Sequence, residues 1–110
     1  MNIIKKNYEL LIALLLCFWV VKPLFVQGFF TMHDDEQVAR LFDLDQALKS
    51  WHIPPRIVPN LGFGYGYPSF NFYPPFTYYV AEVFKTIGFS YIDSIKIMIG
   101  LGFILASFFM

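Results

Sequence analysis

Charged residues are scarce in this chain of 110 residues, since they make up only 15% of it. A typical soluble domain has about a quarter. Basic and acidic residues balance, so no net charge favours binding to nucleic acid. The one cysteine, Cys17, lies in an apolar run and excludes an intrachain disulfide. Hydrophobic residues are abundant at 57%, with 21% aromatic residues, and this composition predicts a protein in contact with a lipid bilayer.

The sequence also lacks the short motifs of several enzyme classes. It has no Gly-x-Ser-x-Gly, no His-Glu-x-x-His, no dinucleotide fingerprint and no phosphate loop ending in Gly-Lys-Ser/Thr. Its two histidines, His33 and His52, do not have zinc-ligand spacing and are interpreted as loop or interfacial residues. Serine hydrolases, zinc peptidases and nucleotide-binding enzymes of these types are therefore not expected.

Residues 8–27 form an apolar run of the length that crosses a hydrocarbon core of about 30 Å. Lys22 lies near one end, where it can reach the interface, and Pro23 should kink or end the helix. Lys5 and Lys6 precede the run closely, which predicts a cytoplasmic N-terminus. A cleaved signal peptide is the alternative, although no small-x-small cleavage site follows.

The rest of the chain predicts spanning helices joined by an outer loop with amphipathic juxtamembrane helices. The loop covers 28–74 and contains a helix at 34–50. A further helix at 75–87 is too short to span alone and should be interfacial or re-entrant, although a crossing stays open. A second span occupies 90–110 and is still apolar where the sequence stops, so we expect a fragment of a longer multi-pass cell-membrane protein. The apolar face expected for the loop helix contains Val38, Leu41, Phe42, Leu48 and Trp51.

An acidic cluster opens the loop helix just after the first span. Asp34, Asp35 and Glu36 could bind a divalent cation, or one of them could act as a general base. The alternative is helix capping, because acidic side chains stabilise a helix N-terminus. The residues alone favour capping.

Aromatic residues alternate with glycine and proline in the segment GFGYGYPSFNFYPPFTYY. The rings of Tyr65, Tyr67 and Tyr73 are candidates for binding a sugar or a lipid chain, and an interfacial aromatic belt is the alternative. Arg56 is a candidate phosphate ligand, because its planar guanidinium suits oxyanions. A snorkelling or salt-bridging role explains this arginine equally well.

A first span is followed by an acidic pair that opens an outer amphipathic helix, and then by a helix that begins with Pro-Pro and an aromatic residue. This order of segments resembles the N-terminus of GT-C-type membrane glycosyltransferases, such as the protein O-mannosyltransferases and aminoarabinose transferases. The stretches MHDDEQVARLFDLDQALK and GFGYGYPSFNFYPPFTYY more closely resemble bacterial proteins described as having a "6-pyruvoyl-tetrahydropterin synthase-related" membrane domain. The likeness covers roughly Gly28 to Phe109. Pterin chemistry is not expected, because two scattered histidines do not build its zinc site.

The resemblance implies transfer of a sugar from a polyisoprenyl-phosphate donor on the outer membrane face. The acidic motif of the transferases aligns with His33–Ala39, so that Asp34 matches their catalytic carboxylate. Their Lys-Pro-Pro aligns with Tyr73-Pro74-Pro75, where the basic residue is absent. Arg56 is the candidate to replace it. The alternative function is non-enzymatic, either an assembly subunit or a transporter, with an acidic loop that only caps a helix.

Overall fold

The computed structural model describes residues 2–31 and 36–109, and this part of the chain is mostly helical and contains no β-strand. An isolated antiparallel bridge pairs Val58 with Tyr67. The chain forms two compact units, Met1–Phe30 with Ile99–Met110, and Thr31–Met98. The helices are α1 (Asn2–Val21), a 3-10 helix (Lys22–Phe25), α2 (Gln37–Lys49), α3 (Ser69–Phe72), α4 (Phe76–Ile87) and α5 (Tyr91–Phe109).

Two helical segments are long and apolar enough to cross a membrane, as the composition predicts. They are Tyr8–Phe25, which includes the 3-10 helix, and Tyr91–Phe109. Only 11% of the first segment and 22% of the second are buried, whereas the central helix of a soluble protein would be mostly buried.

Pro23 ends the regular part of the first segment, in agreement with the sequence. The α-helix stops at Val21 and a 3-10 turn follows with the proline at its start, because proline has no N–H to continue the α-helical hydrogen bonds. Lys22 places its ammonium 5.6 Å from the ring centroid of Trp19. In the same unit, a Cβ built on Gly100 would lie 3.5 Å from Leu24, an ordinary contact distance.

The buried face of α2 differs from the sequence prediction. Leu41 is buried as expected, but Leu44 is also fully buried. Phe42 is 40% exposed and Trp51 is 86% exposed, so these two members of the expected apolar face lie at the surface of the structure. Polar residues replace them on the buried face, namely Arg40, Asp43 and Asp45. The spacing of the apolar residues did not predict this buried face, because charged side chains also lie on it.

α4 and α5 lie within one residue of their predicted ends. α4 begins after Pro75 and ends at Gly88, whose φ of +121° suits glycine. Ser90 then caps α5, since its Oγ accepts a hydrogen bond from the backbone N–H of Asp93 at 3.1 Å. α4 packs against α2, and this contact positions the candidate site.

Candidate functional site

A cleft of about 490 Å³ lies at the N-terminal end of α2, within the unit Thr31–Met98. It combines one acid, one arginine, one amide and three aromatic rings. Its lining residues are Glu36, Arg40, Asn60, Leu61, Gly62, Phe63, Tyr67 and Tyr73. A concave site with a few convergent polar groups and an aromatic wall is the usual form of a small-ligand site.

Arg40 is the central residue of this cleft and is almost fully buried. Its Nη2 donates to Glu36 Oε2 at 2.9 Å, because residues four apart share a helix face. Its guanidinium carbon lies 4.0 Å from the ring centroid of Tyr73, within the range of a cation–π interaction. The arginine is therefore fixed between a carboxylate and an aromatic face.

Tyr78 connects this arginine to α4. Its hydroxyl donates to Gln37 Oε1 at 2.5 Å and accepts a hydrogen bond from Arg40 Nη1 at 3.5 Å. The ring is buried and meets Phe70 edge-on, with centroids 5.6 Å apart. The packing of α4 on α2 thus holds the first turn of α2 and the arginine in one position.

The loop between Val58 and Tyr67 supplies the opposite wall. These two residues exchange backbone hydrogen bonds of 3.0 Å in both directions, which closes the loop. Inside it Gly62 adopts a φ of +67°, and a Cβ there would lie 3.3 Å from the carbonyl oxygen of Gly66. The glycines therefore permit a tight loop that brings Tyr67 to the cleft.

The side chain of Asn60 is held in place by a hydrogen bond to Asp43. The Asn60 amide donates to Asp43 Oδ1, and the carboxyl group is 1% exposed. Burial raises the pKa of Asp43, and the hydrogen bond from Asn60 opposes that rise. Asn60 also lines a second cavity, so this side chain stands between two concave surfaces.

The second cavity is a groove of about 1040 Å³ beside the C-terminal half of α2. Its walls are mostly apolar, with Trp51, Ile53 and Ile57 among them, and it contains the side chains of His52 and Arg56. The full lining is Phe42, Gln46, Ala47, Ser50, Trp51, His52, Ile53, Pro54, Pro55, Arg56, Ile57, Pro59 and Asn60. It therefore lies along the segment that follows α2.

An ionic cluster lies on the other side of α2, around the buried carboxylate of Asp45. Its Oδ2 accepts hydrogen bonds from Lys49 Nζ at 2.6 Å and from the Tyr91 hydroxyl at 2.5 Å. Lys85 Nζ lies 4.0 Å from the same oxygen. Burial alone would raise the pKa of Asp45, but these hydrogen bonds and positive charges outweigh it and lower the pKa.

Glu82 on α4 behaves in the opposite way. Burial, the charge of Asp45 and a hydrogen bond to Asp45 together raise the pKa of Glu82 to about 7. Two carboxyl groups in contact cannot both be ionised at low cost, so the protonated form of Glu82 is favoured below about pH 7. The cluster joins α2, α4 and the first residue of α5 through Tyr91.

The structure brings together three of the residues selected from sequence, Glu36, Tyr67 and Tyr73. Arg56 lies instead in the groove, and Tyr65 is 94% exposed and lines neither cavity. The substrate role of each tyrosine and of the arginine stays a prediction.

The candidate catalytic residue Asp34 and its neighbour Asp35 lie outside the described residues. Glu36 gives α2 no side-chain capping hydrogen bond, because its carboxylate pairs with Arg40. In the part of the chain that the structure describes, no three acidic, histidine or cysteine side chains come together as a metal site requires.

Sequence reasoning missed Arg40 and Asn60. The first had a detectable signal, since a glutamate and an arginine four residues apart on a predicted helix form an ion pair. Asn60 had no such signal, because its hydrogen-bond partner Asp43 is 17 residues away in sequence and meets it only in the folded chain.

Comparisons with protein families, curated proteins and solved structures find no match to this chain. The functional inference therefore depends on the chemistry of the cleft and of the groove.

Proposed function

We propose that the chain is the N-terminal, membrane-spanning part of a GT-C-like glycosyltransferase. It moves a sugar from a polyisoprenyl-phosphate donor to an acceptor hydroxyl at the outer face of the cell membrane. The observation that carries this proposal is the cleft in which Glu36 and Arg40 face the rings of Tyr67 and Tyr73. The acidic residue Asp34 immediately precedes this cleft in the sequence.

The cleft has the chemistry that a sugar requires. A pyranose presents apolar C–H faces that stack on aromatic rings, and hydroxyls that need hydrogen-bond partners. Tyr67 and Tyr73 offer the rings, while Asn60 and Glu36 offer amide and carboxylate groups at the same cleft. Arg40 contributes guanidinium N–H groups to the cleft and forms an ion pair there with Glu36.

In the proposed reaction, Asp34 accepts the proton of the acceptor hydroxyl as that oxygen forms a bond to the anomeric carbon. The bond from this carbon to the phosphate oxygen breaks, and the polyisoprenyl phosphate leaves with the electron pair. Positive charge near the leaving phosphate lowers the energy of this step. Arg40 and Arg56 are the described cations placed in the two cavities.

A divalent cation could supply the same charge from Asp34 and Asp35. Glu36 is the third acidic candidate, and its Oε2 accepts a hydrogen bond from Arg40. The cation stays a proposal about these three acidic residues, and the steps above do not require it.

The test is sugar transfer in membranes that contain the protein encoded by the complete gene. Wild type, Asp34→Asn and Glu9→Gln would be compared at equal membrane abundance. Glu9 is an exposed acid on α1 and serves as the matched control. We expect Asp34→Asn to reduce transfer by roughly two orders of magnitude or more, which is typical for loss of a general base. Full activity in Asp34→Asn would overturn the proposal and favour the non-enzymatic alternative.

A further inference from the structure

The groove beside α2 begins at an unusual helix end. The backbone N–H of Trp51 donates to Leu48 O at 3.1 Å, and that of His52 donates to Ala47 O at 3.0 Å. This is the hydrogen-bond pattern of a Schellman motif, in which the residue after the C-cap is usually glycine with positive φ. Here that residue is Trp51, with a φ of +59°.

A left-handed conformation costs an ordinary residue roughly 1–2 kcal/mol, and a bulky one has no local compensation for it. The strain at Trp51 is not offset by burial, because the side chain is 86% exposed. Ile53 and Ile57, further along the groove, are also mostly exposed. A strained backbone that presents an exposed indole points to an interaction outside the described chain.

The charge of this region indicates what kind of partner fits. From residue 46 to residue 81 the sequence contains no aspartate or glutamate, while Lys49 and Arg56 are basic. Lys49 is paired with Asp45, but Arg56 is exposed and makes no hydrogen bond or ion pair with the described residues. The groove therefore offers one available guanidinium at a mostly apolar wall, and none of its described lining residues is an aspartate or a glutamate.

These features match the interface of a membrane. Tryptophan is enriched where lipid headgroups meet hydrocarbon, and arginine keeps its stem against apolar surface while its head contacts phosphate. The chain itself has two helical segments that are long and apolar enough to cross a bilayer. A volume of about 1040 Å³ is sufficient for a headgroup and the upper part of an acyl chain.

We propose that this groove binds an anionic phospholipid of the surrounding bilayer, with the phosphate at Arg56 and an acyl chain against Trp51 and Ile53. The site goes beyond the transferase function and does not depend on it. A protein without transferase activity would still bind lipid here, and a transferase without this site would still contain the cleft at Glu36.

Trp51 is also the reporter that tests the proposal, because the chain has only one other tryptophan, Trp19. The full chain with Trp19→Phe would be reconstituted into vesicles of phosphatidylcholine and phosphatidylglycerol. In one set the phosphatidylglycerol carries bromine in its upper acyl chain, and in another the phosphatidylcholine does. We expect blue-shifted Trp51 emission, weak quenching by aqueous acrylamide, and roughly twofold stronger quenching per lipid by the brominated phosphatidylglycerol.

Two charge variants distinguish binding of the anionic lipid at the groove from a general electrostatic attraction between the protein and anionic lipids. Arg56→Gln should abolish the preference for brominated phosphatidylglycerol. Lys49→Gln removes the same charge just outside the groove and should keep the preference. Water-like Trp51 emission that acrylamide quenches would overturn the proposal, as it would mean a solvent-exposed or protein-binding face. Equal quenching by both brominated lipids would overturn the assignment of an anionic lipid.

Discussion

The guanidinium of Arg40 lies 4.0 Å from the ring centroid of Tyr73, and its Nη2 donates to Glu36. Two interactions from different parts of the chain therefore hold one buried charge in the cleft. Tyr73 comes from the turn after α3, and it is 33 residues away in sequence. The cleft exists only when the segment before α4 folds back over the first turn of α2.

The first prediction concerns this ring. In Tyr73→Ala the cation–π contact and the stacking surface are both lost, and sugar transfer should fall roughly tenfold, since such a contact is worth about 0.5–2 kcal/mol. Tyr73→Phe keeps the ring and should retain transfer to within about threefold. The measurement is the initial transfer rate against donor concentration. Equal activity in both variants would remove Tyr73 from the site.

Local signals in the sequence predicted most of the helical architecture. The Lys22-Pro23 pair marked the end of α1, and Pro75 and Gly88 marked the limits of α4. These signals work at short range because proline lacks an N–H and glycine tolerates positive φ. The boundaries therefore needed no knowledge of the tertiary structure.

The site was less predictable because its contacts are between distant residues. Arg40 meets Tyr78 across 38 positions, and Asp45 meets Tyr91 across 46. The spacing of apolar residues does not predict a helix face on which buried charged side chains replace hydrophobic ones. Trp51 was counted on the apolar face of this helix, but in the structure it follows the helix end with a positive φ and is exposed.

The second prediction concerns pH. The pKa of Glu82 rises from 4.5 to about 7 in the folded protein, so the folded state binds more protons than the unfolded state between these values. Stability should therefore decrease as the pH rises through this window and level off above it. Thermal unfolding in detergent at about pH 5.5 and about pH 8 should show a higher melting temperature at the lower pH.

Glu82→Gln is the matched variant for this experiment. Its amide can still donate to Asp45 but does not ionise, so the decrease with pH should become smaller and stability at the higher pH should increase. Burial also raises the pKa of Asp43, so this group contributes a decrease of the same sign as the pH rises from its ordinary pKa. The lowered pKa of Asp45 acts only at more acidic pH, with the opposite sign. An unchanged pH dependence of stability in Glu82→Gln would contradict a raised pKa of Glu82 in the folded protein.

The third prediction concerns the packing of α2. Leu44 is fully buried, so Leu44→Ala should reduce the free energy of unfolding by about 2–5 kcal/mol through lost burial and a cavity. Val83 on α4 is mostly exposed, and Val83→Ala should change stability by about 0.5 kcal/mol or less. Denaturant unfolding of both variants measures the difference. Similar effects of the two substitutions would mean that Leu44 is not part of a packed interior.

The fourth prediction concerns the loop that closes the cleft. Gly62 and Gly64 both have positive φ, so alanine at either should destabilise the loop by about 1–2 kcal/mol. Only Gly62→Ala also brings its Cβ within 3.3 Å of a backbone carbonyl, that of Gly66, whereas Gly64 faces open space. Gly62→Ala should therefore increase proteolysis of the loop more than Gly64→Ala does. The reverse order would show that backbone strain alone determines loop stability.

The last prediction concerns topology. Lys5 and Lys6 before the first span favour a cytoplasmic N-terminus, and the loop with its cleft is then predicted to lie on the outer side of the membrane. Tyr65 is the best position for a reporter, since it is 94% exposed at the loop tip. In a Cys17→Ala background, Tyr65→Cys should react with a membrane-impermeant maleimide added to intact cells. Reaction only after the cells are opened would place the loop in the cytoplasm. It would exclude transfer at the outer face, because the cleft at Glu36 and the loop tip belong to the same compact unit.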